Sequence, residues 1–364
     1  MKEVNNTVAV YTFLPLFAMT ALCVLMISCL DEIAVELPDN STDRLVIDGV
    51  VERSPDLYRF LITVSRTQSF QESVFPLEED VVITVLLNDR SIFNLVNGRP
   101  EIFTVEEFHQ LYGTVTRSHF FNLKVETKDG LVFKSVDKSI LDSPKGGSIS
   151  FELVERQELN DLENLISRNY IKLKVNTPVV NESGDRLAMI WDASGVYAFV
   201  EGDCTTDLYG SARRCYVTEN VNGTIPRVLL GSQVSGDVIS GFEVEEITAS
   251  PQFGFGYYLT LVRRAVDGEA GLYWNEVRKN QEREGTIFDT PPGAIRTNIH
   301  QEQGAPAEVL GYFYTAAVDT LRQLGTREVG GSIKLPCAAN PSAAGCCNCL
   351  ELPGSSYEKP RYWK

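Results

Sequence analysis

Leu45-Val46-Ile47-Asp48-Gly49-Val50-Val51 and, shortly after it, Tyr58-Arg59-Phe60-Leu61-Ile62-Thr63-Val64-Ser65 decide the fold class. The first stretch is rich in β-branched residues, and the second alternates with a period of two, which suits a half-buried strand rather than a helix. Val81–Leu87 continues the pattern and ends in the turn Asn88-Asp89-Arg90. Ser91–Val96 and the residues around Ile102-Phe103-Thr104-Val105 follow as further strands. Phe120–Thr127 then meets Leu131–Val136 across Lys128-Asp129-Gly130, a hairpin signal because Asp-Gly readily supplies positive φ. Short strands with turn signals and almost no helical period predict a mainly β chain. Its first domain, residues 44–140, is expected to be an immunoglobulin-like or transthyretin-like β-sandwich.

Ser143-Pro144-Lys145-Gly146-Gly147 reads as a linker. Beyond it, residues 150–336 are expected to form a second β-rich domain with one or two helices. Tyr170–Val175, Leu187–Trp191, Val196–Val200, Glu243–Ile247 and Tyr257–Arg263 read as its strands. Glu155–Ser167 sets Leu159, Leu162, Leu165 and Ile166 at helical spacing. A better marked helix spans about 268–284: Asp267 suits the N-cap, Glu269 the positive dipole end, and Ala270, Tyr273, Trp274 and Val277 form one apolar face. Lys279 and Arg283 suit the other end, and Gly285 a left-handed stop. Residues 337–364 form a tail rich in Cys, Gly and Pro.

Working outward to the start, Lys2 precedes an uncharged run from Val8 to Ile27, which ends at Ser28-Cys29 before Leu30-Asp31-Glu32. A basic start, an apolar core and a small residue at the cleavage point make an export signal over residues 1–28. Met26-Ile27-Ser28-Cys29 resembles a bacterial lipobox, with Cys29 as the lipidation residue. The competing reading is an uncleaved anchor helix, since the run is long enough to span a bilayer. Residues 29–43 then read as an acidic tether without periodicity.

The formal net charge of −16 excludes the basic footprint that a nucleic-acid partner needs. Attachment to a bilayer is thus expected through acyl chains on Cys29 rather than through the protein surface. Of eight cysteines, Cys23 lies in the signal and Cys29 takes the lipid. Cys204, Cys215, Cys337, Cys346, Cys347 and Cys349 remain as disulfide candidates of an exported chain, in any of several pairings. The short Cys204-to-Cys215 spacing makes that pair the first expectation, with Cys337 joined to the 346–349 cluster. A zinc site on Cys337, Cys346, Cys347 and Cys349 is disfavoured because Cys337 has no nearby ligand partner, so no metal and no cofactor is expected.

No catalytic constellation stands out. His109 and His119 match no ligand or nucleophile pattern and read as strand or loop residues, and His300 has no activated Ser or Cys beside it. Glu243, Glu245 and Glu246 lie close together without an obvious cation. Phe253-Gly254-Phe255-Gly256 lacks the lysine and helix start of a phosphate loop. Trp191, Tyr197, Phe253, Phe255, Tyr257 and Tyr258 either line an apolar ligand groove or fill the core.

Several blocks together carry a family resemblance. They are Tyr257–Arg263, the helix with Tyr273-Trp274, Gly285-Thr286-Ile287-Phe288-Asp289, Asn298-Ile299-His300 and Val309-Leu310-Gly311-Tyr312-Phe313. Cys346-Cys347-Asn348-Cys349 and the closing Lys359-Pro360-Arg361-Tyr362-Trp363 complete the order, and Cys29-Leu30-Asp31-Glu32-Ile33 with Leu37-Pro38 opens it. The chain resembles the Bacteroidota lipoproteins of domain-of-unknown-function family 4249. It departs from them at Thr297, where a Gly is usual, and at Leu350, where an Arg is usual. The resemblance implies an outer-membrane lipoprotein exposed at the cell surface. It also implies a TonB-dependent receptor as partner, and carries over no catalytic residue. The expected function is therefore non-enzymatic: capture of a small ligand, or accessory support, beside a TonB-dependent transporter. An exported hydrolase acting on glycan or peptide, or a cell-envelope adhesion or scaffold protein, are the alternatives.

Overall fold

The computed structural model describes residues 44–67, 76–202, 213–221, 226–282, 295–330, 337 and 345–363. The first part of the chain runs β1 (Leu45–Arg53), β2 (Leu57–Arg66), β3 (Val82–Leu87), β4 (Arg90–Leu95) and β5 (Glu101–Thr104). Helix α1 (Val105–Tyr112), β6 (Phe120–Glu126), β7 (Val132–Ser135) and β8 (Lys138–Ser139) follow. The second part holds β9 (Ser148–Leu159), β10 (Leu165–Pro178), β11 (Ala188–Val200), β12 (Arg214–Asn220), β13 (Arg227–Leu230), β14 (Val238–Thr248) and β15 (Tyr257–Val266). Helix α2 (Gly268–Gln281), β16 (Ile299–Gln303), β17 (Val309–Leu310), β18 (Phe313–Gly325) and β19 (Ser355–Ser356) complete it.

The described strands form three sheets. The largest has ten strands in the order β19-β12-β11-β15-β18-β1-β2-β5, with β13 added to β11 and β17 to β1. A six-stranded sheet, β16-β7-β6-β3-β4 with β8 on β6, lies over its β1–β2 part. A three-stranded sheet, β14-β10-β9, lies over its β11–β15 part. The mainly β class holds, with two cores. The first gathers Ile47, Phe60, Ile83, Phe121 and Phe133, and the second Leu173, Trp191, Val244, Tyr257 and Leu261.

The 143–147 stretch separates these cores in chain order, yet both are built on the ten-stranded sheet. β18 runs parallel to β1, with Gly49 opposite Phe313 and Arg53 opposite Ala317, and antiparallel to β15, with Leu261 opposite Leu321. Its alternation puts Phe313 in the first core and Ala317 in the second, while Tyr314 and Ala316 face the other way, under α2. β16 also returns to the first core, pairing with β7 and burying Ile299. The linker itself is pinned: the fully buried Arg263 donates to the carbonyls of Pro144 and Gly146 and pairs with Asp319. A buried guanidinium needs its donors satisfied, and here the linker carbonyls, Thr177 and Asp319 do so.

Three local expectations meet their structures. The Lys128-Asp129-Gly130 turn joins β6 to β7 with Gly130 at φ 77°, and Asn88 and Asp89 both take positive φ between β3 and β4. Helix α2 begins where Asp267 accepts from Ala270 N at 2.7 Å. Gly285, expected to stop it, lies outside the described residues, and the helix closes on Glu282. Burial would push the Lys138 ammonium down, but Asp267 at 2.9 Å and Glu269 at 3.0 Å hold it above its ordinary range. That lysine docks the start of α2 onto the sheet.

Two expectations are corrected. Glu155–Ser167 is no helix but the distal half of the β9–β10 hairpin, with Leu159, Leu162 and Leu165 left exposed. Asn160 Oδ1 accepts from Leu162 N and Asn164 N, and Glu163 adopts φ 59°, so turn chemistry wins over an accidental helical spacing. The stretch after Ile102-Phe103 is α1, not more strand, and it carries His109. Thr104 and Glu107 form a capping box, with Thr104 N donating to Glu107 at 2.8 Å and Glu107 N to Thr104 Oγ1 at 3.2 Å. Phe108 anchors the helix on Tyr58 and Phe60.

Two outcomes test this account. Gly311 sits at φ 97° between β17 and β18, where a Cβ would lie 2.1 Å from the carbonyl oxygen of Ile47. Gly311→Ala should cost about 2–3 kcal/mol in a denaturant titration, since both φ and space exclude a side chain. On the α2 side of the sheet, Arg264 crosses β18 to pair with Glu52 and also meets Asp192, while Arg59 reaches Glu52 at 2.9 Å. Burial alone would raise the Glu52 carboxyl, but Arg264 and then Arg59 hold it below the usual glutamate range. A depressed carboxylate contributes stability above its unfolded pKa and loses it as pH falls through the folded value. Glu52→Gln should therefore cost about 3 kcal/mol at neutral pH, and the gap to wild type should narrow as pH falls below the ordinary glutamate value of 4.5.

Candidate functional site

Cys29 and Cys204 lie outside the described residues. Cys215 is bonded to Cys349 and Cys337 to Cys346, and Cys347 is also disulfide-bonded. Cys215 thus does not pair with Cys204 as its spacing suggested. The reason is topological: β19 adds to β12 through Tyr216–Ser356 and Val217–Ser355, which brings the tail alongside Cys215. Glu201 fixes the arrangement, accepting from Cys349 N at 3.0 Å, Arg213 Nε at 2.9 Å and Tyr357 Oη at 3.2 Å. Cysteines held in disulfides have no thiolates to offer the zinc set weighed from sequence.

The six aromatics do not line a groove. Trp191, Phe253 and Tyr257 are wholly buried in the second core, with Tyr197 packed against it. Tyr258 and Phe255 pack on a separate cluster with Trp363 and Tyr362 of the tail. Consecutive residues of β15 point to opposite faces, so Tyr257 and Tyr258 cannot share a wall. The Tyr257 hydroxyl occupies the space above Gly195 and donates to Glu219 at 2.8 Å. The carboxylates of β14 are cross-strand ion partners: Glu243 meets Lys172 at 2.8 Å and Glu246 meets Arg156 at 2.6 Å. His300 is exposed on β16, opposite Lys134. In the same block, Asn298 clamps Phe313, donating to its carbonyl at 2.7 Å and accepting from its N–H at 2.9 Å.

A cleft of about 540 Å³ lies elsewhere, between β13, the turn after it, β14 and α2. Leu229, Val234, Ile239 and Phe242 supply apolar wall, and Asn275 and Arg278 enter from α2. Arg278 pairs with Glu282 at 2.6 Å and donates to Asn275 Oδ1 at 3.3 Å. Arg227 approaches the same Glu282 at 3.5 Å. Gln233 and Ser235 of the turn and Ser240 of β14 add polar groups, so the cleft has a mixed lining that suits a small ligand with both apolar and polar parts. Sequence reading passed over 226–242 because its apolar residues show no long periodicity. The legible signal was Asn275 and Arg278, one turn apart on the helix face beside the apolar one.

The tail bond offers a direct check. Cys215→Ser with Cys349→Ser opens a crosslink spanning 134 residues and should lower stability by about 3–5 kcal/mol in a thermal or denaturant melt. Limited proteolysis should then cut first in the segment after residue 349, beyond the remaining bridges of Cys346 and Cys347.

A family model described as a domain of unknown function matches residues 31–322. No match was found among curated proteins or among solved structures. The matched span takes in both cores and ends inside β18, leaving the disulfide-bonded tail outside it. It covers most of the chain, which therefore belongs to the domain-of-unknown-function family DUF4249.

Proposed function

We propose that this chain is a non-enzymatic lipoprotein, anchored in the outer membrane through acylated Cys29 and exposed at the cell surface. There it captures a small ligand for a TonB-dependent transporter. The observation that carries the reading is the oxidised tail, with Cys215–Cys349 and Cys337–Cys346 both formed. Such bonds persist outside the reducing cytosol, which fits the export signal and lipobox written in residues 1–29. The cleft beside α2 is the proposed capture site, where an apolar body meets Leu229 and Phe242 and a polar end meets Arg278. Anchoring beside the barrel raises the effective concentration of the loaded protein there, so a modest affinity suffices. The transporter as partner rests on the family resemblance.

The test is capture of the native lipoprotein from gently solubilised outer membranes. A TonB-dependent barrel in near-equal amount is expected, and Cys29→Ser should move the protein into the soluble fraction. Recovery of the lipoprotein alone after cross-linking, or fractionation with the inner membrane, would overturn the proposal.

A further inference from the structure

A second cleft, of about 390 Å³, opens in the first domain between the β3–β4 turn, α1 and the start of β6. Its volume falls in the range of small-molecule sites. The residues around it carry donors: the guanidinium of Arg90, the imidazole of His119, the phenol of Tyr112, the hydroxyl of Ser91 and the amide of Asn88. Leu87, Ile92 and Leu111 complete it as short apolar walls. None of these residues is a carboxylate, in a chain whose formal net charge is −16.

Local bonds prepare the donors. Thr116 N donates to His119 Nδ1 at 3.1 Å, so that nitrogen accepts and the ring proton of the neutral form sits on Nε2. Asn88 Oδ1 accepts from Phe120 N at 3.0 Å, which leaves its NH2 group to donate elsewhere. Asp89, the carboxylate of the same turn, is occupied by Lys134 at 2.9 Å and Asn122 at 2.8 Å, so it does not neutralise Arg90. Carboxylates farther off are screened over a Debye length of about 8–10 Å in physiological salt.

We infer that this cleft is an anion site for a small amphiphile, whose carboxylate or phosphate head meets Arg90 and His119 while a short apolar stem lies on Leu87, Ile92 and Leu111. The site is separate from the cleft beside α2 and stands whether or not a transporter is the partner.

Calorimetric titration of the full-length lipoprotein in neutral detergent tests it with four probes: hexanoate, hexyl phosphate, inorganic phosphate and the neutral hexanamide. Hexanoate or hexyl phosphate should bind saturably, and which is tighter identifies the head group. Inorganic phosphate should bind more weakly for want of a stem, and hexanamide about tenfold or more weakly than the better anion. Arg90→Gln and His119→Gln should each weaken that anion about tenfold, because a charge-assisted or directed hydrogen bond is lost. Lys128→Gln, which removes a cation outside the cleft, should leave affinity unchanged. Equal binding of amide and anion, undiminished binding by Arg90→Gln, or no saturable anion binding would each overturn the assignment.

Discussion

The parallel pairing of β1 with β18 is the constraint on which the rest depends. Gly49 faces Phe313 across strands 264 residues apart in the chain. Parallel neighbours cannot be joined by a tight turn, so the intervening chain must build everything else before returning. It builds one sandwich on β1 and β2 and a second on β11 and β15, and β18 fills the slot between them. Side-chain alternation then lets one strand serve both cores and the face under α2. Arg263 and the linker carbonyls lock the same joint from the side.

Much of the strand content was legible because it obeys a period of two. Tyr58, Phe60, Ile62 and Val64 are all buried, as their alternation requires. The Asp-Gly turn and the Asp267 cap were legible because they are local, one-residue chemistry. β18 was not. Its Ala316, Ala317, Asp319 and Arg322 have no strand preference of their own, and their conformation is set by two neighbours distant in sequence. The β9–β10 hairpin misled for the opposite reason, since leucines at its exposed tip fell by chance at helical spacing. Helix α1 carried its own start signal in Thr104 and Glu107, but eight residues are too few for periodicity to register.

The candidate sites follow the same division. That the tail cysteines form disulfides was legible in their number and clustering, whereas their partners depend on β19 meeting β12. The aromatic cluster was visible as composition, and only the pleat of β15 shows that its members part to opposite faces. Both clefts are assembled from segments that no local rule joins: a turn, a helix and a strand end in one case, a strand pair and a helix face in the other.

The position of β1 has a mechanical consequence. It begins at Leu45, directly after the tether read from sequence, and it is hydrogen-bonded to β2 on one side and to β17 and β18 on the other. A pull delivered through an N-terminal anchor therefore acts along an interior strand and loads both of its ladders in shear, so many bonds must yield together. A strand at a sheet edge, pulled from its end, would peel one bond at a time. Were the chain held by its N-terminus, such a joint would resist being dragged open from that end.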